Sequence, residues 1–330
     1  MPEWTKAADA YVQDHFLFRD KLIAGNALLR LWLFNTNKSQ NWIVLPGKDG
    51  WLFYLGDWAM HNYLRIPSAE DKETVRAWER TLVFRQQLMA GKGAEYLVAI
   101  APNKEDLHPE YFPERFSNRR GTTMLELMRR HMNSSLAASH FLDLTEPLQQ
   151  AKQAGQIYFK TDSHWNDRGA YAAYRAIMKW IQQRHPAAAA LPEERFFRRV
   201  EPNSFGGDLV LAMGLTGLLT ETQETWETAQ PCSSPKNIIL TPAEQPEGRT
   251  LEKNGCPTGQ PLRLLVISDS FIDGMRQFLN ETFQQVVYSR EMEFPLLRNF
   301  IDEYQPDIVL DLRVARNLPK VMSPGQDEAH

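Results

Sequence analysis

Cysteine is scarce in this chain of 330 residues: there are two, Cys232 and Cys256. Neither sits in a C-x-x-C pair or beside a histidine, which argues against a structural zinc site. One disulfide and two free thiols are both open. Long apolar runs are missing as well. The most apolar N-terminal run, residues 28–34, is short and broken by Arg30, so no membrane span or signal peptide is read there. Positive charge is not in excess: 37 Lys and Arg stand against 41 Asp and Glu, a net charge of −4. That balance argues against nucleic acid as the main partner. Basic pairs such as Arg119-Arg120, Arg129-Arg130 and Arg198-Arg199 are scattered and read mostly as solvated faces, with a local anionic-ligand site left open. No glycine-rich phosphate loop opens a helix, which leaves no sign of a nucleotide-phosphate site.

What is present is an alternation of apolar strands and amphipathic helices. Helix is expected over residues 5–34. Asp49-Gly50 marks a tight turn before an apolar run. Ser68 with Asp71, and Thr123 with Glu126, are capping-box pairs opening helices. The first carries Val75, Trp78, Leu82 and Met89 on one face, the second Leu125, Met128, Met132 and Leu136. Residues 96–100, 141–144, 262–267, 283–288 and 307–312 read as strands, and 296–304 as helix. Residues 220–260 are polar and rich in Pro, Thr, Glu and Gln, and read as an insertion or long surface loop. The expected fold is three-layer α/β/α with a mostly parallel central sheet. It forms a single domain over 1–330, with an N-terminal helical extension over 1–40 and a polar insertion at about 220–260.

Two short stretches carry chemistry. In Thr161-Asp162-Ser163-His164-Trp165-Asn166 a carboxylate and an imidazole lie two positions apart, sharing a face if the backbone is extended. The carboxylate then fixes the imidazole tautomer and leaves the other ring nitrogen free to take a proton from a hydroxyl. On spacing alone a helix entry with an Asx-type cap fits equally well. Downstream, Ser268-Asp269-Ser270-Phe271 ends a buried strand and opens a helix, so Ser270 is exposed at a turn; an ordinary helix N-cap is the plain alternative. Lys104, His164, Ser270 and Arg313 are all expected just past strands, where open α/β sheets bind their ligands. The expected site is Ser270 as nucleophile, His164 as base and Asp162 as orienting group. Lys104, Gly207 (in Gly206-Gly207-Asp208) and Arg313 are the substrate or oxyanion candidates.

Asp162-Ser163-His164-Trp165 followed by Gly169-Ala170 resembles the D-x-H-W signature of the alginate O-acetyltransferase family of AlgJ and AlgX. Other stretches are similar in the same order: Asp14-His15-Phe16 with Phe18-Arg19-Asp20, then residues 47–53 (Gly-Lys-Asp-Gly-Trp-Leu-Phe). Pro102-Asn103-Lys104 with residues 109–113 (Pro-Glu-Tyr-Phe-Pro), Gly207-Asp208-Leu209 and the Ser270 turn complete the set. The family tends to have glycine where this chain has Ser268, and glutamates before the last arginine that residues 311–316 lack. The resemblance implies an SGNH-hydrolase-like fold in permuted order, with the Asp-His pair before the serine. It also implies a periplasmic enzyme that moves acetyl groups onto an exported polysaccharide, alginate or another, through an acetyl-serine. A membrane-bound acyltransferase would be the acetyl donor, with no metal or diffusible cofactor. An N-terminal membrane anchor outside the given sequence is part of the expectation. In an oxidising periplasm Cys232 and Cys256 should pair. A carbohydrate acetylesterase with the same three residues, and a non-catalytic polysaccharide-binding scaffold, are the alternatives.

Overall fold

The computed structural model describes residues 37–39, 42–56, 58–240, 251–290 and 298–320. The helix expected over 5–34 and the stretch from Asp14 to Asp20 lie outside them. β1 (Asn37–Ser39), β2 (Trp42–Pro46) and β3 (Leu52–Tyr54) pair antiparallel in a small sheet; β1 thus falls inside the segment expected to be helical. Asp49 and Gly50 turn the chain between β2 and β3 with φ of 54° and 78°, the left-handed region that this pair adopts readily. Helix α1 (Ala59–Tyr63) leads to α2 (Ala69–Ala90). The Ser68 hydroxyl accepts from Asp71 N–H, and the Asp71 carboxylate accepts from Ser68 N–H. Such a cap is worth about 1 kcal/mol.

Then come β4 (Glu95–Ala101), α3 (Lys104–Leu107), α4 (Glu114–Ser117), α5 (Met124–Met132), β5 (Phe141–Asp143), α6 (Thr145–Lys152) and α7 (Asp167–Gln182). The Thr123–Glu126 capping box opens α5 as expected, but the helix stops at Met132, and Leu136 beyond it is exposed. Asn166 caps α7 through its Oδ1, which accepts from Gly169 N–H at 3.1 Å. Next are β6 (Phe196–Phe205), α8 (Asp208–Ala212), β7 (Glu221–Thr228), β8 (Ile238–Ile239), β9 (Leu251–Asn254) and β10 (Gln260–Ser268). A 3₁₀ turn (Ser270–Met275) precedes α9 (Arg276–Thr282), β11 (Phe283–Ser289), α10 (Arg298–Tyr304) and β12 (Ile308–Val314).

The main sheet has the strand order β5-β4-β12-β10-β11-β9-β8. The five strands from β5 to β11 run parallel, and β9 and β8 extend one edge antiparallel. Both faces are covered, which makes the fold three-layer α/β/α. On β4, Leu97, Ala99 and Ala101 face one core with Tyr174 and Ile177 of α7 and Phe278 of α9. Tyr96, Val98 and Ile100 face the other, with Trp78 and Leu82 of α2, Met128 of α5 and Ile301 of α10. Burial on both faces is why the central strands read as continuous apolar runs.

Residues 220–260 are not a loop throughout. β7 pairs antiparallel with β6 in a separate ribbon, and β8 and β9 join the main sheet. Residues 241–250 lie outside the described residues. β7, Glu-Thr-Gln-Glu-Thr-Trp-Glu-Thr, lacks an apolar alternation because the ribbon buries little beyond Glu221 and Trp226. Cys232 and Cys256 form a disulfide with Cα atoms 5.0 Å apart. It ties the segment after β7 to the turn that precedes β10.

Candidate active site

Ser270 follows β10 at the carboxyl edge of the sheet and opens the 3₁₀ turn. Asp269 pins that turn. Its Oδ1 accepts from Phe271 N–H at 3.1 Å, and its Oδ2 accepts from Val314 N–H at 2.7 Å and Asn317 Nδ2 at 3.1 Å. The end of β10 is thereby tied to the end of β12. Buried Phe271 packs against the rings of His164, Trp165 and Tyr158. Ser268 closes β10 fully buried, with its hydroxyl unpartnered among the described residues.

Asp162 and His164 lie in a tight loop rather than an extended strand; a single antiparallel bridge between Tyr158 and Trp165 closes it. The i, i+2 spacing still brings the two side chains together. Asp162 Oδ1 accepts from His164 N–H at 2.9 Å and stands 2.7 Å from His164 Nδ1. With the proton on Nδ1, the other ring nitrogen is left as an acceptor, and Nε2 lies 2.7 Å from Ser270 Oγ. Burial would push the Asp162 carboxyl up, but its hydrogen bond to His164, the imidazole charge and the N–H groups of Asp208 and His164 outweigh it and hold the group below the usual range. Asp162 is therefore an anion well placed to orient the ring.

The loop is held from beneath by two buried groups. Glu221 accepts from Thr161 Oγ1 (2.6 Å), Thr161 N–H (2.7 Å), Lys160 N–H (2.9 Å) and Gln156 Nε2 (3.1 Å). Lys104 Nζ donates to the carbonyls of Asp162 (2.7 Å), Phe159 (2.9 Å) and Lys160 (3.1 Å). All three ammonium donors are thus committed, so Lys104 builds the loop and does not face a substrate oxygen. Burial pulls its ammonium down to about 8, against the nearby carboxylates of Asp162, Glu221 and Asp208.

The other two expected oxyanion candidates are also placed differently. Gly207 N–H donates to Thr161 Oγ1 at 3.1 Å, so it is occupied. Arg313 lies within β12, not past it, and donates from Nε to Asp311 Oδ1 at 2.6 Å. Its side chain belongs to the face packed by Trp78, while Leu312 and Val314 face the α7 side. Strand alternation thus turns it away from Ser270. The Ser270 N–H, first in its turn, has no acceptor among the described residues, as the first amides of a helix generally do not.

Several residues of the site were given no role in advance. Asp208 Oδ2 lies 3.6 Å from His164 Nδ1, and Asp208 N–H donates to Asp162 Oδ2 at 2.8 Å. The advance signals for Asp208 were the Gly-Gly-Asp stretch and the similarity of Gly207-Asp208-Leu209 to the family. Asp162, His164 and Asp208 bring ligating atoms within 4.8 Å of one another. Both oxygens of each carboxylate already accept hydrogen bonds, which a cation would have to displace. Arg316 is half-buried, its guanidinium 5.0 Å from the Tyr54 ring centre and 5.4 Å from that of Phe271. It lines a small cavity with Ser163, Asn103 and the Glu105 carboxyl, which feels its charge, and it makes no ion pair within 4.0 Å among the described residues.

A permuted Ser-His-Asp constellation at the carboxyl edge of a three-layer α/β sheet defines an SGNH-hydrolase-like domain. The chain belongs to the family described as "SGNH hydrolase-like domain, acetyltransferase AlgX", whose family model matches residues 44–292. Among curated proteins it is similar to the probable alginate O-acetylase AlgJ of Pseudomonas syringae pv. tomato, 28% identical over 228 residues, covering 66% of this chain and 52% of that protein. It is 29% identical over 223 residues to the Pseudomonas fluorescens protein of the same name, covering 65% and 52%. The chain thus spans about half the length of the curated relatives it matches. In fold it is similar to Bacillus cereus PatB1, with a TM-score of 0.62 at 16% identity, covering 85% of this chain and 100% of that one. The O-acetyltransferase domain of Pseudomonas putida AlgJ gives a TM-score of 0.54 at 18% identity, covering 86% and 95%.

Proposed function

We propose that this protein is an O-acetyltransferase that works through an acetyl-serine on Ser270, with His164 as general base and Asp162 as its orienting anion. The observation that carries the reading is the unbroken relay from Asp162 Oδ1 through the imidazole to Ser270 Oγ, with 2.7 Å at each step. Membership of a family described as acetyltransferase AlgX supports the acyl group. In the first half-reaction Ser270 Oγ bonds to the acetyl carbon and its proton passes to His164 Nε2. The leaving group departs with that proton as the carbonyl re-forms. In the second, His164 takes a proton from an acceptor hydroxyl, which attacks the acyl-serine and releases Ser270. The Ser270 N–H, free at the start of its turn, is one donor for the developing oxyanion.

The acceptor in this reading is an exported, alginate-like polysaccharide, as the names of the curated relatives suggest for those proteins. The guanidinium of Arg316, which makes no ion pair within 4.0 Å among the described residues, supports an anionic polymer. The reading places the enzyme in the periplasm as one domain, receiving acetyl already covalently held by a membrane-bound acyltransferase. No cofactor enters the scheme. The test is mass spectrometry of uronate oligosaccharides incubated with a small activated acetyl ester. Acetylated oligosaccharide with the wild type and none with Ser270→Ala is the expected result. Ester loss without sugar acetylation would make the protein an esterase. A saturable rate with acetyl-coenzyme A would refute the covalent handover.

A further inference from the structure

Asp208 brings a second carboxylate to the imidazole that the three-residue relay does not use. Its Oδ2 lies 3.6 Å from His164 Nδ1, behind Asp162 Oδ1 at 2.7 Å. Both of its oxygens accept from Ser163: Oδ1 from the N–H at 2.7 Å and Oδ2 from the hydroxyl at 2.6 Å. The Ser163 N–H favours the anion, while the hydroxyl can donate to the carboxylate or accept from the acid. Burial and the charge of Asp162 push this carboxyl up, and the donors on Ser163 oppose them. Ser163 Oγ stands 3.4 Å from His164 Nδ1, so the hydroxyl lies beside the line from the second carboxylate to the ring, within reach of both.

The geometry points to Asp208 as a positioning residue that, with Ser163, sets how much negative charge the His164 imidazole meets. The inference rests on the proposed Ser270–His164 pairing. When Ser270 Oγ bonds to an acyl carbon and its proton moves to Nε2, the imidazolium formed faces two carboxylates rather than one. The Ser163 hydroxyl, turned onto Asp208, withdraws part of that second charge. The other charges around the ring are Lys104 on the Asp162 carbonyl, Arg316 across Phe271, Glu221 beneath Thr161 and Asp269 under the Ser270 turn. Asp208 is set apart from these by its direct line to Nδ1.

The test follows modification of Ser270 by phenylmethylsulfonyl fluoride, read by intact-protein mass as a function of pH. It needs no acetyl chemistry, so it stands apart from the transferase reading. Asp208→Asn should slow labelling about tenfold at neutral pH and move the acidic limb of the profile to lower pH, because the imidazolium loses a counter-charge. Ser163→Ala should move the same limb to higher pH, because Asp208 Oδ2 loses its donor and turns its full charge on the ring. Ser163→Thr should restore the wild-type profile. A loosened loop would not displace the limb in opposite directions for these two neighbours. Shifts of the same sign, or no shift in either variant, overturn the role of Asp208. A wild type that labels but never acetylates sugar overturns the proposed function and leaves this role standing. A Ser270 that never labels overturns both.

Discussion

Gly207 lies directly against Asp162: a Cβ at position 207 would fall 2.4 Å from the Asp162 Cβ and 2.7 Å from its Cα. Real Cβ atoms do not approach so closely, and the obstacle is backbone, not the far end of a flexible side chain. Gly207→Ala should therefore push the loop that carries Asp162 and His164 away from Ser270. Misplacement of a catalytic group by about 1 Å costs on the order of 100-fold in rate. Acetyl-ester turnover should fall by about that factor, with circular dichroism unchanged. Turnover within twofold of wild type would mean the loop yields without cost.

Removal of relay members should separate by role. Ser270→Ala and His164→Ala should each abolish acyl transfer. Asp162→Asn keeps the shape but changes the hydrogen-bonding sense, and should lower kcat by roughly 10³–10⁴. Single-turnover kinetics with a chromogenic acetyl ester would measure all three, and near-normal acylation in Ser270→Ala would refute the nucleophile.

Arg316 and Arg313 should part company. Arg316→Ala should raise KM for an anionic acceptor about tenfold or more and spare deacetylation of a neutral ester, since only the polymer has charge to recognise. Arg313→Ala should instead reduce stability. It strips one partner from Asp311, which is fully buried and also accepts from Arg85 and Tyr96. Breaking such a network costs about 3 kcal/mol or more, measured by urea unfolding.

Glu105 offers a pH signature. It is buried, with one carboxyl oxygen unpartnered among the described residues. Burial first, then the charge of Asp106, pushes its carboxyl up from 4.5 to about 8. The folded chain keeps this proton where the unfolded chain releases it. The contribution is thus fully present below pH 4.5 and is lost as pH rises to about 8, by at most about 1.4 kcal/mol per pH unit. Glu105→Gln should flatten that decline in chemical denaturation at pH 5, 6.5 and 8. Lys104, pulled down to about 8, acts above this window and with the opposite slope.

The relay was legible because its parts obey local rules. Asp162 and His164 sit just ahead of the capping Asn166, and Ser270 just after a strand buried on both faces. The supporting groups were not, because sheet-edge position says where a residue lies and not which way it points. Lys104 reaches the right edge and then spends its donors on carbonyls. Arg313 is one residue out of phase: Leu312 and Val314 face the α7 side and Arg313 faces α2. β7 escaped notice because its polar residues carry no period-two apolar signal. Glu221 within it looked like one more surface acid, yet it holds four donors of the Asp162 loop.

The partners His164 and Ser270 are 106 positions apart in the chain, and β4 and β12, which flank the serine strand on one side, come from opposite ends of the described sequence. No contiguous fragment that ends before β12 contains both the relay and the Val314 amide that fixes the Asp269 turn. Chemical competence therefore cannot arise piecemeal. A partly synthesised or unfolded chain lacks the pairing of Ser270 with His164, and the proposed nucleophile is assembled only once the last strand has docked.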